Sequence, residues 1–291
     1  VVVMCIAGNS PLAWLPRLRG TKVVLNVDGS DWRRRKWGRL ARTYIRLSER
    51  LALLTPNATV TDSRIMHQYY LERFGADTAC ITYGAHMPPV DGTETLRAFG
   101  LAPRRYLLLV GRLVPENCAH HLVEAFEQLT TEMKCVVVGD APYVDDYIGD
   151  LKRRGPHVIF TGYLFGDGYR ELMQHAYAFV LCSEVGGTHP VLVEAMAAGN
   201  CVVVNDTPAN LEVIGDAGIP YRGEQGARGL LPVLRRLLEA ESTVEDYRRR
   251  AKSRAESRYC WESITDQYEQ LFTGLLHGRK AGVAQRVAKP G

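Results

Sequence analysis

The sequence predicts an α/β fold made of two successive doubly wound parallel sheets. Three observations lead there. Short apolar runs alternate with longer stretches of helical period, the signature of strand–helix–strand units. That rhythm breaks once, between Tyr83 and Pro103, where Pro88, Pro89 and Pro103 interrupt it. Between Ala178 and Val204 one whole unit is written out as strand run, glycine turn, helix and strand run. At 291 residues the chain has the length of two ordinary domains.

Residues 1–6 (Val-Val-Val-Met-Cys-Ile) read as a strand of central type, so the N-terminal sheet is expected to lack its first part. Residues 8–20 read as a turn around a short Pro- and Trp-containing segment. A second strand over 22–27 ends in Asp28-Gly29-Ser30-Asp31-Trp32. From 36 to 54, Leu40, Tyr44, Leu47, Leu51 and Leu54 recur at steps of four and three, predicting a helix. Arg35, Arg39, Arg42 and Arg46 follow the same steps on another face. A strand over 57–61, a helix capped by Asp62-Ser63 and running to 74, and a strand over 78–82 complete the first half. Beyond the break come strand 106–110, helix 119–129, strand 135–138, helix 144–154, strand 158–161 and helix 169–176. The unit at 178–204 follows, then two or three helices, with 239–276 rich in charge. The expected organisation is a partial N-terminal domain over 1–88, a linker over 89–103 and a C-terminal domain over 104–262. A terminal helix over 263–277 is expected to pack back on the N-terminal domain, with a disordered basic tail over 278–291.

Several function classes drop out early. The seven cysteines are scattered without a CxxC pair, which indicates neither a zinc site nor a disulfide framework and fits a reducing, cytoplasmic setting. No apolar run approaches the roughly 20 residues of a membrane span. A net charge of +4 is far from the dense charge of a nucleic-acid binder, so no nucleic-acid partner is expected. The dinucleotide turn G-x-G-x-x-G, the P-loop, the G-x-S-x-G elbow and H-E-x-x-H are all absent.

Ligands of open α/β sheets gather beyond the carboxyl ends of the strands. In the second half these ends carry Gly111-Arg112-Leu113, Gly139-Asp140, Gly162-Tyr163 and the turn Ser183-Glu184-Val185-Gly186-Gly187-Thr188-His189. Pro190 suits the first position of the next helix and Gly199 its end. A helix start behind bare glycine amides binds anions. One carboxylate, Glu194, lies a turn into that helix. An arginine, glycine turns, a helix start and one carboxylate together suit a nucleoside diphosphate: cation and amides for the pyrophosphate, the carboxylate for ribose hydroxyls. A surface salt bridge for Arg112 and a solvated helix carboxylate for Glu194 are the ordinary alternatives. Asp28 and Asp31 read either as acceptor contacts or a base, or as turn and N-cap chemistry. His86 reads as a hinge or surface histidine more readily than a catalytic one. On spacing alone, His120, His121 and His189 are not metal ligands, and Cys182 and Cys201 are packing residues.

Three ordered stretches carry a family resemblance: Gly111-Arg112-Leu113-Val114-Pro115-Glu116-Asn117; Gly186-Gly187-Thr188-His189-Pro190 through Glu194-Ala195-Met196-Ala197-Ala198-Gly199; and Glu212-Val213-Ile214-Gly215-Asp216-Ala217-Gly218. With them the chain resembles GT-B glycosyltransferases of family 4. Asn26-Val27-Asp28-Gly29-Ser30-Asp31-Trp32-Arg33-Arg34 and the pair Lys36-Trp37 resemble the rhamnosyltransferase-like subgroup that carries an N-terminal domain of unknown function.

The resemblance implies two Rossmann-like domains facing a cleft and transfer of a sugar from a nucleotide donor with retention of configuration. No metal or other cofactor is required in that chemistry. By position, Arg112 would neutralise the diphosphate as the leaving group gains charge, Glu194 would hold the ribose, and Gly111, Asn117, Gly139, Glu184 and His189 would line the donor. Amides of Gly186, Gly187 and Thr188 would hold sugar or phosphate, and the backbone at Tyr163-Leu164 would meet the base. Asp28, Asp31 and Trp32 would face the acceptor, Asp28 with a catalytic role. Two departures stand out. The wider family has a carboxylate eight residues before Glu194, where this chain has Gly186 with Glu184 two residues off register. It also has a lysine where this chain has Asn117. The implied activity is transfer of a hexose or deoxyhexose from a dTDP- or UDP-sugar to a saccharide or lipid-linked saccharide in surface polysaccharide synthesis. The arginine stripe would give peripheral contact with the inner face of the membrane. The competing readings are a donor-binding remnant or partner subunit without catalysis, and a nucleotide-sugar epimerase on the same fold.

Overall fold

The computed structural model describes residues 1–27, 29, 32, 34, 37–142 and 144–278. Asp28, Asp31, Arg35 and the basic tail after Gly278 lie outside the described residues. The chain divides into two compact units. The first comprises Val1–Tyr83, Gly186–Thr188 and Trp261–Gly291; the second comprises Gly84–Val185 and His189–Cys260.

In the first unit β1 (Val2–Cys5) leads through a 3-10 turn at Ala7–Leu12 and the short α1 (Trp14–Arg17) to β2 (Val23–Val27). Then come α2 (Arg39–Leu51), β3 (Ala58–Thr61), α3 (Arg64–Phe74) and β4 (Ala79–Cys80). The four strands pair in parallel in the order β1-β2-β3-β4. Side chains of β2 alternate between two cores, as the pleat requires. Leu25 and Val27 pack with Ala52, Met66 and Tyr70 on one face. Val24 packs with Ala58, Val60 and Ile81 on the other, under Ile264 and Leu275 of the helix Trp261–Leu276.

Among the described residues β1 pairs only with β2, and Val2 and Val3 are exposed. The apolar positions Leu40, Tyr44, Leu47 and Leu54 face outward, Leu40 being 89% exposed. The buried side of α2 is Ile45, Ser48 and Glu49. Hydrogen bonds hold that side: the Ser10 hydroxyl donates to the Ser48 carbonyl at 2.6 Å, and the Tyr69 hydroxyl to Glu49 Oε2 at 3.0 Å.

The second unit opens with α4 (Glu94–Ala98), then β5 (Tyr106–Val110), α5 (Ala119–Phe126), β6 (Lys134–Val138) and α6 (Asp145–Arg154). It continues with β7 (Val158–Gly162), α7 (Gly166–His175), β8 (Ala178–Leu181), α8 (Pro190–Ala197) and β9 (Cys201–Asn205). The rest is α9 (Pro208–Ile214), β10 (Ile219–Tyr221), α10 (Ala227–Glu239) and α11 (Glu241–Arg258). The helix Trp261–Leu276 of the first unit is α12.

The segment expected to be a bare linker thus holds a helix. Leu96 of α4 is buried, and the Glu171 carboxylate on α7 accepts the amides of Thr95 at 3.0 Å and Leu96 at 2.8 Å. A remote carboxylate therefore caps this helix start, which no local pattern announces.

All six strands run parallel in the order β10-β9-β8-β5-β6-β7. Leu107 and Leu109 of β5 enter one core, Tyr106 and Leu108 the other, so helices cover both faces. The chain runs outward from β5 through β6 and β7, then resumes at β8 on the other side. The β5/β8 boundary is therefore the topological switch point, where loops after the two strands diverge and leave a crevice.

Candidate functional site

The loops at the switch point are built from backbone first. Gly111, directly after β5, donates its amide to the Val138 carbonyl at 3.0 Å, and Gly139, directly after β6, donates to Gly162 at 2.8 Å. Gly139 has φ +133°, and a Cβ there would stand 2.0 Å from the Gly111 carbonyl oxygen. Only glycine allows the two strand ends to approach this closely. The result is a pinched bundle of three strand ends from which Arg112 projects.

Arg112 is exposed, and its guanidinium has no partner among the described residues. Its peptide is held from behind. Asn117 Nδ2 donates to the Arg112 carbonyl at 2.8 Å, and Asn117 Oδ1 accepts from the Ser183 hydroxyl at 3.3 Å. The Glu184 amide donates to the Glu116 carbonyl at 3.1 Å. Asn117 therefore ties the loop after β5 to the loop after β8, and Glu184 meets that loop through its backbone while its side chain is exposed.

Glu194 stands on α8, half-buried, and its Oε2 accepts from the Tyr169 hydroxyl on α7 at 2.5 Å. Burial, with the Glu194 charge beside it, pushes the Tyr169 phenol well above its ordinary range, so it remains a donor. One carboxylate oxygen is thus fixed in orientation. Tyr169 is a partner of Glu194 that sequence reasoning missed. It is 25 positions from Glu194, and only the adjacency of α7 and α8 joins them.

After β7, Tyr163 and Phe165 form a stacked, exposed ring pair, centroids 6.0 Å apart and planes 12° apart, with Leu164 half-buried between them. The sequence pointed to the backbone here; the paired ring faces are what the structure adds. His189 is the N-cap residue of α8, its carbonyl accepting from Leu192 at 3.0 Å.

Gly186, Gly187 and Thr188 fall in the first unit. The Thr188 amide, expected to hold a donor phosphate, donates instead to Asp62 Oδ2 at 2.9 Å, and the Thr188 hydroxyl donates to the Asp62 carbonyl at 2.9 Å. A Cβ on Gly187 would meet that same Oδ2 at 2.2 Å. Asp62, read from sequence as half of a helix cap, leaves the cap to Ser63, which accepts from the Met66 amide.

On the expected acceptor side only Trp32 is described, with the Arg46 guanidinium 4.3 Å over its ring. Of the arginine stripe, Arg39 is exposed, Arg42 half-buried, and Arg46 engaged with Trp32. No helix among the described residues is long and apolar enough to cross a membrane.

Comparison with known proteins gives these elements a context. Residues 94–256 match the family described as glycosyl transferases group 1, and residues 15–86 match the domain of unknown function DUF1972. The chain is 25% identical over 196 residues to O-antigen chain mannosyltransferase B of Escherichia coli, covering 65% of this chain and 51% of that protein. It is 28% identical over 179 residues to lipopolysaccharide 1,2-N-acetylglucosaminetransferase of Salmonella typhimurium, covering 56% and 47% respectively. It therefore spans about half the length of these relatives. Among solved structures, Anabaena Alr3699/HepE in complex with UDP-glucose aligns with a TM-score of 0.80 at 18% identity, covering 93% of this chain and 78% of that one.

Proposed function

This chain belongs to the glycosyl transferases group 1, with a GT-B fold, and we propose that it moves a hexose or deoxyhexose from a dTDP- or UDP-sugar to a saccharide or lipid-linked saccharide. The setting we propose is surface polysaccharide synthesis, in keeping with relatives named for O-antigen chain and lipopolysaccharide. A rhamnose-like donor is the finer reading, supported by the match of residues 15–86 to the N-terminal domain that the resembling subgroup carries.

One observation carries the proposal: an exposed arginine without a partner among the described residues, held by its peptide at the switch point of a parallel sheet. Free cationic charge on a rigid loop costs nothing to reorganise when a leaving diphosphate gains negative charge, so it favours the transition state over the ground state. Glu194, with Oε2 held by Tyr169, would accept from ribose hydroxyls, and the Tyr163–Phe165 pair offers a flat face to the base. Asn117 would act as a positioning residue for Arg112 rather than as a phosphate ligand. With arginine supplying the counter-charge, transfer without a metal ion is the reading we adopt. The exposed row Leu40, Tyr44 and Leu47 on α2, with Arg39 beside it, supports peripheral membrane contact.

The test is calorimetric titration with UDP and dTDP, then a donor panel scored for released nucleoside diphosphate. Replacing Arg112 by Ala removes charge-assisted contacts of about 1.5–3 kcal/mol, or roughly 10- to 150-fold in affinity. Unchanged affinity removes Arg112 from the site. Tight binding with no release from any donor favours a donor-binding subunit instead.

A further inference from the structure

Cys118, His120 and His121 gather at the start of α5, one ligand atom from each lying within 4.8 Å of the others. A left-handed residue makes the cluster. Cys118 has φ 50° and ψ 34°, between the 3-10 turn Pro115–Asn117 and the helix, and this conformation turns its sulfur back over the Pro115 and Glu116 carbonyls, 3.4 Å and 3.7 Å away. The two imidazoles meet edge to face with centroids 4.6 Å apart. Each Nδ1 is engaged by a tyrosine hydroxyl: His120 with Tyr147 at 3.0 Å, His121 with Tyr221 at 2.9 Å. Cys118 and His121 are buried and His120 is half-buried.

We propose that this cluster is a binding site for a borderline-soft divalent cation of the zinc class, held by the Cys118 thiolate and one nitrogen from each histidine. A thiolate with two imidazoles is the donor set such ions select, whereas magnesium and calcium require oxygens. Tetrahedral coordination at about 2.0–2.3 Å puts ligand atoms about 3.3–3.7 Å apart, so the cluster closes by roughly an ångström on loading. The fourth position goes to water. The Cys118 thiol gives up its proton to solvent as the metal–sulfur bond forms. The two tyrosine hydroxyls hold the rings as an outer shell: with Nε2 on the metal, each Nδ1 keeps its proton and donates to its tyrosine oxygen. Loading would stiffen the turn that carries Asn117, and through it the Arg112 peptide. The cluster uses none of the proposed nucleotide residues as ligands, and the proposal does not depend on the proposed activity.

Cobalt(II) titration of the full chain reads the site directly. The expected result is saturation at one equivalent, with intense tetrahedral visible bands, a sulfur-to-cobalt charge-transfer band, and loss of both on adding zinc. Cys118→Ser removes the charge-transfer band, and His120→Ala weakens cobalt binding at least about tenfold. His120 is the least buried of the three, so its variant keeps the test informative should Cys118→Ser unfold, which circular dichroism reports. Absence of the bands overturns the proposal, as does a charge-transfer band surviving in Cys118→Ser or an unchanged affinity in folded His120→Ala.

Discussion

Replacing Gly139 by alanine tests whether the strand ends at the switch point are held by backbone contact. At φ +133° a side chain costs about 1–3 kcal/mol in backbone strain alone. The added Cβ would also lie 2.0 Å from the Gly111 carbonyl oxygen, so one backbone must retreat by about 1 Å or more merely to reach the shortest tolerable contact. That retreat works against the Gly111–Val138 and Gly139–Gly162 hydrogen bonds, each contributing about 1 kcal/mol. The combined loss is on the order of 3 kcal/mol, or about 6–12 °C in the melting of a unit this size. Gly162→Ala is the internal control: its φ is +70° but nothing lies within 4 Å of the new Cβ, so only about 1–2 kcal/mol is lost. Thermal unfolding followed by circular dichroism compares the two, and UDP titration below the transition should show a larger loss for Gly139→Ala, because Arg112 adjoins the displaced carbonyl. Equal destabilisation of the two variants, or a wild-type melting point for Gly139→Ala, would refute the reasoning.

Three further outcomes are expected. Burial raises the Glu171 carboxyl, but the amides of Leu96 and Thr95 and the Thr95 hydroxyl outweigh it and hold the group below its ordinary 4.5. Its stabilisation is therefore full above pH about 4.5 and is lost as pH falls through the folded value. Urea unfolding at neutral pH should find Glu171→Gln less stable by about 1.5–3 kcal/mol, a gap that narrows on acidification; a pH-independent gap would contradict the assignment. Tyr169→Phe should weaken uridine and UDP by the same factor, since it disturbs ribose recognition, while Arg112→Ala should weaken UDP alone; calorimetry with both ligands separates the two. Flotation with anionic vesicles at low salt should recover the chain, and Leu40→Glu with Leu47→Glu should abolish recovery. No flotation of the wild type ends the membrane reading.

The sheet was legible because buried parallel strands are continuous apolar runs and helices announce their period. All five strands of the second unit from β5 to β9 fall where those runs stand. What escaped was set by distance in the chain. Periodicity along 36–54 says a helix forms but not which side is buried, and the answer lay with Ser10 and Tyr69, which bind Ser48 and Glu49. Arg112 and Glu194 could be proposed from sequence because strand ends and helix starts are local. Tyr169 and Asp62 were missed because their partners lie 25 and 126 positions away. The Cys118–His120–His121 cluster was near enough in sequence to see, yet C-x-H-H spacing does not announce the left-handed turn at Cys118 that accompanies it.

The return of α12 to the first unit gives synthesis an order. Asn26 and its partner Tyr268 are separated by 242 positions, which a ribosome covers in roughly 10–50 s at about 5–20 residues per second. For that interval the apolar face of Val24, Ala58, Val60 and Ile81 has no Ile264 or Leu275 to cover it. The second unit, whose last residue is Cys260, has all its residues in hand before the first does. A nascent chain thus exposes an apolar half-sheet until α12 has been made. A chain stopped at Cys260 carries every residue of the second unit and an N-terminal sheet with one face bare.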